Sequence, residues 1–299
     1  MRPPVRDDGR VQLTFTKGHG TQNDFVLVPD LDASIDLSPD DVRWLADRHA
    51  GIGGDGVIRV VPTRLSAEVA DQADVAEWFM DYRNADGQPA EMCGNGVRVF
   101  VQYLRREGLV PDDGAPLRVA TRNGPKDVRC EGDLIAVDLG AWHVVGGDAA
   151  LAQGGDADVT IRGLPSALTG LSLDLGNPHT VVLLPAEHDL VAADLTSAPV
   201  VEPVPPHGTN VELVVPIEPG HIVMRVHERG VGETRSCGTG AAAAALAARA
   251  WAIAAGGPAD DEWRVDVPGG TVWVRVLGPR VELVGPAVLV ADGVVVLPR

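Results

Sequence analysis

Cysteine is rare in this chain: three in 299 residues, Cys93, Cys130 and Cys237. So odd and sparse a set excludes a disulfide framework, and no two stand at the close spacing of a zinc ligand set. No metal is expected, and the setting is expected to be reducing and cytoplasmic. Lysine is scarcer still, with Lys17 and Lys126 as the two examples, which leaves little choice for a Schiff-base cofactor. Positive charge is short altogether: 25 Lys+Arg against 42 Asp+Glu give a net charge of −17. No basic stripe offsets this, so a nucleic-acid partner is not expected. Long apolar runs are missing too. The longest, residues 241–248, stops at Arg249 and is too short to span a membrane. Residues 1–8 lack the apolar run that a signal peptide needs.

What is present suffices for a large core. The chain is 45% hydrophobic and 22% charged, which suits one large domain or two ordinary ones. Most segments read as short Val-rich strands separated by Gly, Pro and Asp. They fall at 11–16, 25–28, 56–61, 77–83, 134–139, 180–184, 210–215, 222–228, 265–267, 271–277, 281–284 and 287–290. Three segments read as helices. Ser38-Pro39-Asp40-Asp41 is a start signal for a helix through about His49. The others follow Cys93 (94–107) and Cys237 (238–255), each with Gly at its end. Strands outnumber helices and do not alternate with them, so the expected class is α+β.

An internal echo suggests the organisation. Cys93-Gly94-Asn95-Gly96 and Cys237-Gly238-Thr239-Gly240 each open a helix, 144 residues apart. Two related halves are expected, each with strands around one central helix: residues 1–140 with 287–299, and residues 141–286. A thiol at a helix N-terminus faces unpaired N–H groups and the positive end of the helix dipole. Its pKa is expected to drop from about 8.5 into the range of roughly 3.5–7.5. The glycines let a carboxylate approach the same amides. If the halves share one carboxylate, one thiolate can remove an α-proton while the other thiol protonates the opposite face. That inverts a stereocentre without a cofactor. A redox switch joining the two cysteines is another reading, whereas Cys130 reads as a small core residue.

Several ordered motifs carry a resemblance. They are Gly20-Thr21-Gln22-Asn23-Asp24-Phe25, then Arg48-His49-Ala50-Gly51-Ile52-Gly53, then Arg83-Asn84-Ala85-Asp86-Gly87 leading to Glu91-Met92-Cys93. Further on stand Gly176-Asn177-Pro178-His179, Thr209-Asn210-Val211, and the run from His227 to Thr234 leading to Cys237. From about residue 11 to 286 the sequence resembles the diaminopimelate epimerases. The resemblance implies two pseudo-symmetric barrel-like halves, with the last strand (about 287–299) returning to the first half and the site in a cleft between them. It implies pyridoxal-independent conversion of LL-diaminopimelate to the meso form, for lysine and peptidoglycan synthesis, in a cytoplasmic enzyme that could be a homodimer.

By resemblance, Cys93 and Cys237 are the acid–base pair, and the amides of Gly94, Asn95, Gly238 and Thr239 hold the reacting carboxylate. Asn84 and Glu228, each nine residues before its cysteine, would contact the reacting amino group. Asn23, Asn177, Asn210 and Arg229 would bind around the substrate and its distal end, and His179 and Glu228 would tune the cysteines. Plainer readings stand beside these: turns at Asn84 and Asn177, a structural histidine at His179, and a solvated pair at Glu228-Arg229. The sequence departs from the family at Gly56, where a Gln contact is common, and at Thr239, where Ser is common. The glycine cluster 51–56 lacks the strand–loop–helix context of a dinucleotide loop.

A proline or hydroxyproline racemase shares the two-cysteine plan, but typically carries His where Asn95 stands. A phenazine-type isomerase is disfavoured by the presence of both cysteines. A catalytically silent amino-acid-binding or redox-sensing protein is the alternative from another class.

Overall fold

The computed structural model describes residues 11–111 and 113–298. Residues 1–8, read above for a signal peptide, and Arg299 lie outside them. The described chain forms two compact units, residues 11–137 with 286–298, and residues 138–285. Both are strand-rich with few helices, as the α+β expectation requires.

In the first unit the strands are β1 (Gln12–Gly20), β2 (Asn23–Pro29), β3 (Gly56–Pro62) and β4 (Trp78–Asn84), then β5 (Leu117–Ala120), β6 (Lys126–Glu131) and β7 (Leu134–Ala141). A closing strand, Val288–Val296, pairs with β1. From that strand to β7 the neighbours run antiparallel, antiparallel, parallel, antiparallel, parallel, antiparallel, antiparallel. Helix α1 (Pro39–Ala46) covers the face of β1–β3, and α2 (Gly94–Arg106) is packed against β1 to β4 and the closing strand.

The second unit holds β8 (His143–Val144), β9 (Ala157–Thr160), β10 (Leu168–Asp174), β11 (Pro178–Leu183), β12 (Val200–Glu202) and β13 (Asn210–Glu218). After these come β14 (His221–Glu228), β15 (Gly232–Thr234), β16 (Glu262–Val267), β17 (Gly270–Leu277) and β18 (Arg280–Pro286). From β9 through β10, β11, β13, β14, β16 and β17 to β18, the directions repeat those of the first unit step for step. Besides α3 (Gly147–Gln153) and α4 (Glu187–Ala192) this unit carries α5 (Gly238–Ala254), packed against β10, β11, β13, β14, β16 and β17. Seven alanines of α5, at 241–245, 247 and 248, are buried, and their small side chains let the surrounding strands close on the backbone. The topology therefore supports a duplication independently of the two Cys-Gly motifs.

Some boundaries differ from expectation. The first helix stops at Ala46, not His49, because Asp47 turns extended and its carboxylate accepts the N–H groups of His49 and Ala50. Its start follows the sequence signal: Ser38 Oγ accepts the Asp41 N–H while the Asp41 carboxylate accepts the Ser38 N–H. Helices α3 and α4 and strands β5, β8, β9, β10, β12 and β15 fall outside the segments read from the sequence. They are short, and several interleave charged residues that weaken an apolar pattern.

Leu45 is fully buried between α1 and the sheet, against Leu13, Val26 and Val57. Leu45→Ala is expected to cost about 2–5 kcal/mol, readable as a lowered midpoint in urea with an unchanged slope.

Candidate active site

The first half-site is built on a strained hairpin. The β1–β2 turn uses Thr21 and Gln22, both at positive φ (48° and 64°), the conformation a two-residue hairpin of the correct twist demands. A β-branched residue there stores about 1–3 kcal/mol of strain. The turn delivers Asn23 to the start of α2. Asn23 Nδ2 donates to Asp55 Oδ2 at 2.7 Å, and Asn23 Oδ1 accepts from Asn95 Nδ2 at 3.2 Å and from the Cys93 thiol at 3.5 Å. Asp55 is held in turn by Arg48, which also binds Asp24. Lys17 completes this ionic cluster at 2.5 Å from Asp24. The glycine-rich stretch that could pass for a nucleotide loop thus carries a carboxylate that orients Asn23.

Cys93 is the N-cap of α2 in extended conformation, and its Sγ accepts the Gly96 N–H at 3.4 Å. Gly94 and Asn95 are buried in the first turn. Asn84 ends β4, is exposed, and opens a turn in which Gly87 N–H donates to its carbonyl. The Gly56 departure has a steric account: a Cβ there would lie 2.5 Å from both the Arg83 carbonyl and the Tyr82 ring. Tyr82 fills the place where a longer side chain would stand.

The second half-site repeats the sulfur cap with different surroundings. Cys237 is the N-cap of α5, and its Sγ accepts the Gly240 N–H at 3.4 Å and lies 3.6 Å from Thr239 Oγ1. Asn177 Nδ2 donates to that same hydroxyl at 3.2 Å. Asn210 Nδ2 donates to the Pro178 carbonyl and its Oδ1 accepts the Arg229 N–H, so this amide clamps the start of β11 to the end of β14. Glu228 is half-buried and accepts the Thr234 hydroxyl, while exposed Arg229 donates to the His207 carbonyl. His179 and Glu212 are wholly buried and joined Nδ1 to Oε1 at 2.7 Å. A Cβ on Gly240 would lie 2.7 Å from Glu212 Oε1, which puts this acid directly behind the cysteine. A cavity of about 610 Å³ beside them is lined by Asn177, His179, Thr180, Thr209 and Arg229 among others.

The expected depression of both thiols fails at Cys237. Burial pushes this thiol well above the ordinary cysteine range, and the charges of Glu228 and Glu212 push the same way. The Thr239 hydroxyl and Gly240 N–H pull downward without prevailing, because desolvation of a buried anion outweighs two hydrogen bonds. Glu212 is itself raised by burial, against the pull of His179.

Sequence reasoning missed Glu212, Arg98 and the role of Asp55. Glu212 leaves a trace as a lone acid in the apolar run 211–215. Arg98 leaves only a difference between the two echoes, since Ala242 stands at the matching position. Among the described residues no cluster of three or more His, Cys, Asp or Glu could hold a metal ion, and no helix is long and apolar enough to cross a membrane.

Solved structures with this fold include a phenazine biosynthesis protein from Bacillus anthracis (16% identical, TM-score 0.66, covering 95% of this chain and 99% of the other). Another is a hydroxyproline epimerase from Agrobacterium vitis (14%, TM-score 0.60, 96% and 93%). At those identities they show the fold alone. The class is set by the sequence relatives: an isomerase of the epimerase type. The family model for diaminopimelate epimerase matches residues 15–145 and 171–290. Curated diaminopimelate epimerases from Rhodococcus opacus (46% identical, 94% of this chain and 96% of the relative) and Streptomyces coelicolor (47%, 94% and 95%) align along the chain. The chain belongs to the diaminopimelate epimerase family.

The ionic cluster behind Asn23 predicts an acid limb of stability. Burial alone would raise the Asp24 carboxyl, but Arg48 and Lys17 outweigh it and hold it at about 2, against an ordinary 3.8. A depressed carboxyl stabilises the fold above its unfolded pKa and loses that contribution as pH falls toward the folded one, here from about 4 down to 2. Asp24→Asn is expected to remove about 2 kcal/mol at neutral pH and to flatten that part of the curve, measured by urea unfolding at stepped pH.

Proposed function

We propose that this chain epimerises LL-2,6-diaminopimelate to meso-diaminopimelate by direct proton transfer between Cys93, the substrate α-carbon and Cys237. The observation that carries the reading is the repeated sulfur cap: each half offers a cysteine at a helix N-terminus with amides beside it. Family membership supplies the substrate. The reading requires both half-sites to meet one α-carbon from opposite faces, in a cleft between the halves.

The steps follow from the chemistry of the groups. The substrate carboxylate is bound by the N–H groups of Gly94, Asn95, Gly238 and Thr239, where two helix N-termini offset the negative charge that grows as the α-proton leaves. One cysteine, as thiolate, takes that proton and becomes a thiol. The other, as thiol, gives its proton to the opposite face and becomes a thiolate. Charge and protons balance within the pair, and solvent exchange restores the starting state. Asn84 and Glu228 are assigned to the reacting ammonium, Glu228 by charge and Asn84 by its carbonyl.

At the distal end, Arg229 suits a carboxylate, and Asn177 and Asn23 supply neutral polar contacts. Asn210 acts by fixing the Arg229 backbone. His179 works through Glu212 on the environment of Cys237. Place in the cell belongs to the same proposal: an enzyme of lysine and peptidoglycan precursor synthesis in the cytoplasm, where reducing conditions keep both thiols free, and assembled as a homodimer.

Proton NMR of LL-diaminopimelate in deuterated water tests this, with reduced enzyme and no pyridoxal phosphate. The expected outcome is loss of the α-proton signal with appearance of the meso isomer, and no exchange with L-proline. Cys93→Ala and Cys237→Ala are each expected to lower epimerisation by at least about 10²–10⁴-fold, the range for losing a positioned acid or base, with circular dichroism unchanged. Near-normal turnover in either variant would overturn the two-base assignment.

A further inference from the structure

The two half-sites correspond strand by strand. Phe25 on β2 pairs opposite Gly56 on β3, as His179 on β11 pairs opposite Asn210 on β13. Counting back from these pairs, Asn23 matches Asn177 and Asp55 matches Thr209; counting forward, Ile58 matches Glu212. At the helix starts Cys93 and Asn95 match Cys237 and Thr239.

The matched asparagines face their helices with opposite ends of the amide. Asn177 turns its Nδ2 inward and donates to Thr239 Oγ1 at 3.2 Å, and that hydroxyl lies 3.6 Å from Cys237 Sγ. With its oxygen engaged by the amide, the hydroxyl can turn its own proton to the sulfur. Asn23 presents its oxygen instead. Its Oδ1 accepts from Asn95 Nδ2 at 3.2 Å and from the Cys93 thiol at 3.5 Å.

The residue at the position of Asp55 accounts for the reversal. An ionised carboxylate accepts hydrogen bonds and donates none, so only the amino end of the Asn23 amide can face it. The bond from Nδ2 to Asp55 Oδ2 is 2.7 Å long. Asp55 is itself fixed: Oδ2 also accepts the Asp24 N–H, Oδ1 accepts Arg48 Nη2 at 2.7 Å, and its own N–H donates to the Asp24 carbonyl. Thr209 engages its hydroxyl with Thr180 and the Asn210 carbonyl. An amide oxygen receives a thiol proton and offers nothing to a thiolate, so the orientation of Asn23 favours the neutral form of Cys93.

Other groups around α2 set a background. The Gly96 N–H and the helix N-terminus favour the anion. Lys17 on β1 pairs with Asp24 on β2, and His19 on β1 accepts the Gln22 N–H. Arg59 on β3 pairs with Asp30 and Asp81, and Arg83 on β4 with Asp81. Within α2, buried Arg98 donates to the Pro286 carbonyl and the Thr21 hydroxyl, and Arg105 to the Gly132 carbonyl. Arg106 pairs with Glu107 and with Asp292 of the closing strand, and Glu91 accepts from Asn123. These side chains are unaltered in every variant below, so they contribute to the ionisation midpoint of Cys93 and not to its shift.

We propose that Asp55 is a positioning residue for Cys93: by binding the amino end of the Asn23 amide it keeps the amide oxygen on the sulfur, as acceptor of the thiol proton. This rests on the reading of Cys93 as an acid–base group, and it is tested without turnover, so it can fail while epimerisation stands. The probe is iodoacetamide on reduced, substrate-free protein at stepped pH, with Cys93 and Cys130 followed separately by peptide mass spectrometry. Asp55→Asn removes the acceptor-only partner and lets the Asn23 amide turn, so that it can donate to a thiolate. The Cys93 midpoint is expected to fall by about one unit or more, a roughly tenfold gain in labelling rate on its acid side, with Cys130 unmoved. Asp55→Thr, which copies the other half, is expected to act the same way. In an Asn23→Ala background Asp55→Asn is expected to lose most of its effect. A folded Asp55→Asn with the original midpoint would overturn the proposal, because a purely structural role would not move a pH profile. So would a full shift in the Asn23→Ala background, which would show the carboxylate acting by its charge and not through the amide. Should both Asp55 variants fail to fold, Asn23→Ala alone decides: with the acceptor gone its Cys93 midpoint is expected to fall, and an unchanged or higher one overturns the proposal.

Discussion

Each cysteine sulfur accepts a backbone N–H three residues into the helix that it caps, and the rest of the site is arranged around that bond. It fixes where the sulfur sits relative to the first-turn amides, so sulfur and amides are one structural unit rather than two that must be aligned. At the second of these bonds the glycine three residues after the cysteine is what permits it, whereas a Cβ on Gly96 would make only ordinary contacts at 3.4 Å and beyond. At Gly240 a side chain would collide with the acid behind and crowd the sulfur at 3.2 Å.

Holding a charged or chargeable sulfur at such a place has consequences in the surrounding strands. Beside Cys93 the first unit places an amide on a strained turn, with an ionic cluster that orients it. The second answers with a buried His–Glu pair and a second acid at the end of β14. A two-base inversion needs one partner ready to take a proton and the other ready to give one. Two like groups can reach that state by sharing one proton, and unequal surroundings bias which of them holds it. The surroundings of the two helix starts differ in Arg98 against Ala242 and in Ile58 against Glu212.

The frame itself remained strict. Seven successive strand pairings keep their directions between the two units, although the first unit completes its set with a strand from the far end of the chain. The central helices differ in how they fill the same role. α2 buries large side chains such as Phe100 and Leu104, and α5 buries a run of alanines. The same set of pairings thus accommodates two different fillings of its core.

Much of this was legible in the linear chain because it is local. A cysteine followed by glycines at a helix start, the Ser38 cap and the Val-rich strands depend on residues a few positions apart, and the echo between Cys93 and Cys237 needs only comparison of two short motifs. The residues assigned to the substrate rest on motifs that keep their order along the chain. What the tertiary structure alone decided is the electrostatic surrounding of Cys237. Arg98 reads as one more polar position on a helix until the fold encloses it. Glu212 meets Cys237 only through strand pairing with β11 and the packing of α5. The helix dipole visible in the sequence argued for two acidic thiols. Burial and two neighbouring carboxylates reversed that at Cys237, because desolvation is set by everything that surrounds a group and not by its neighbours in the chain.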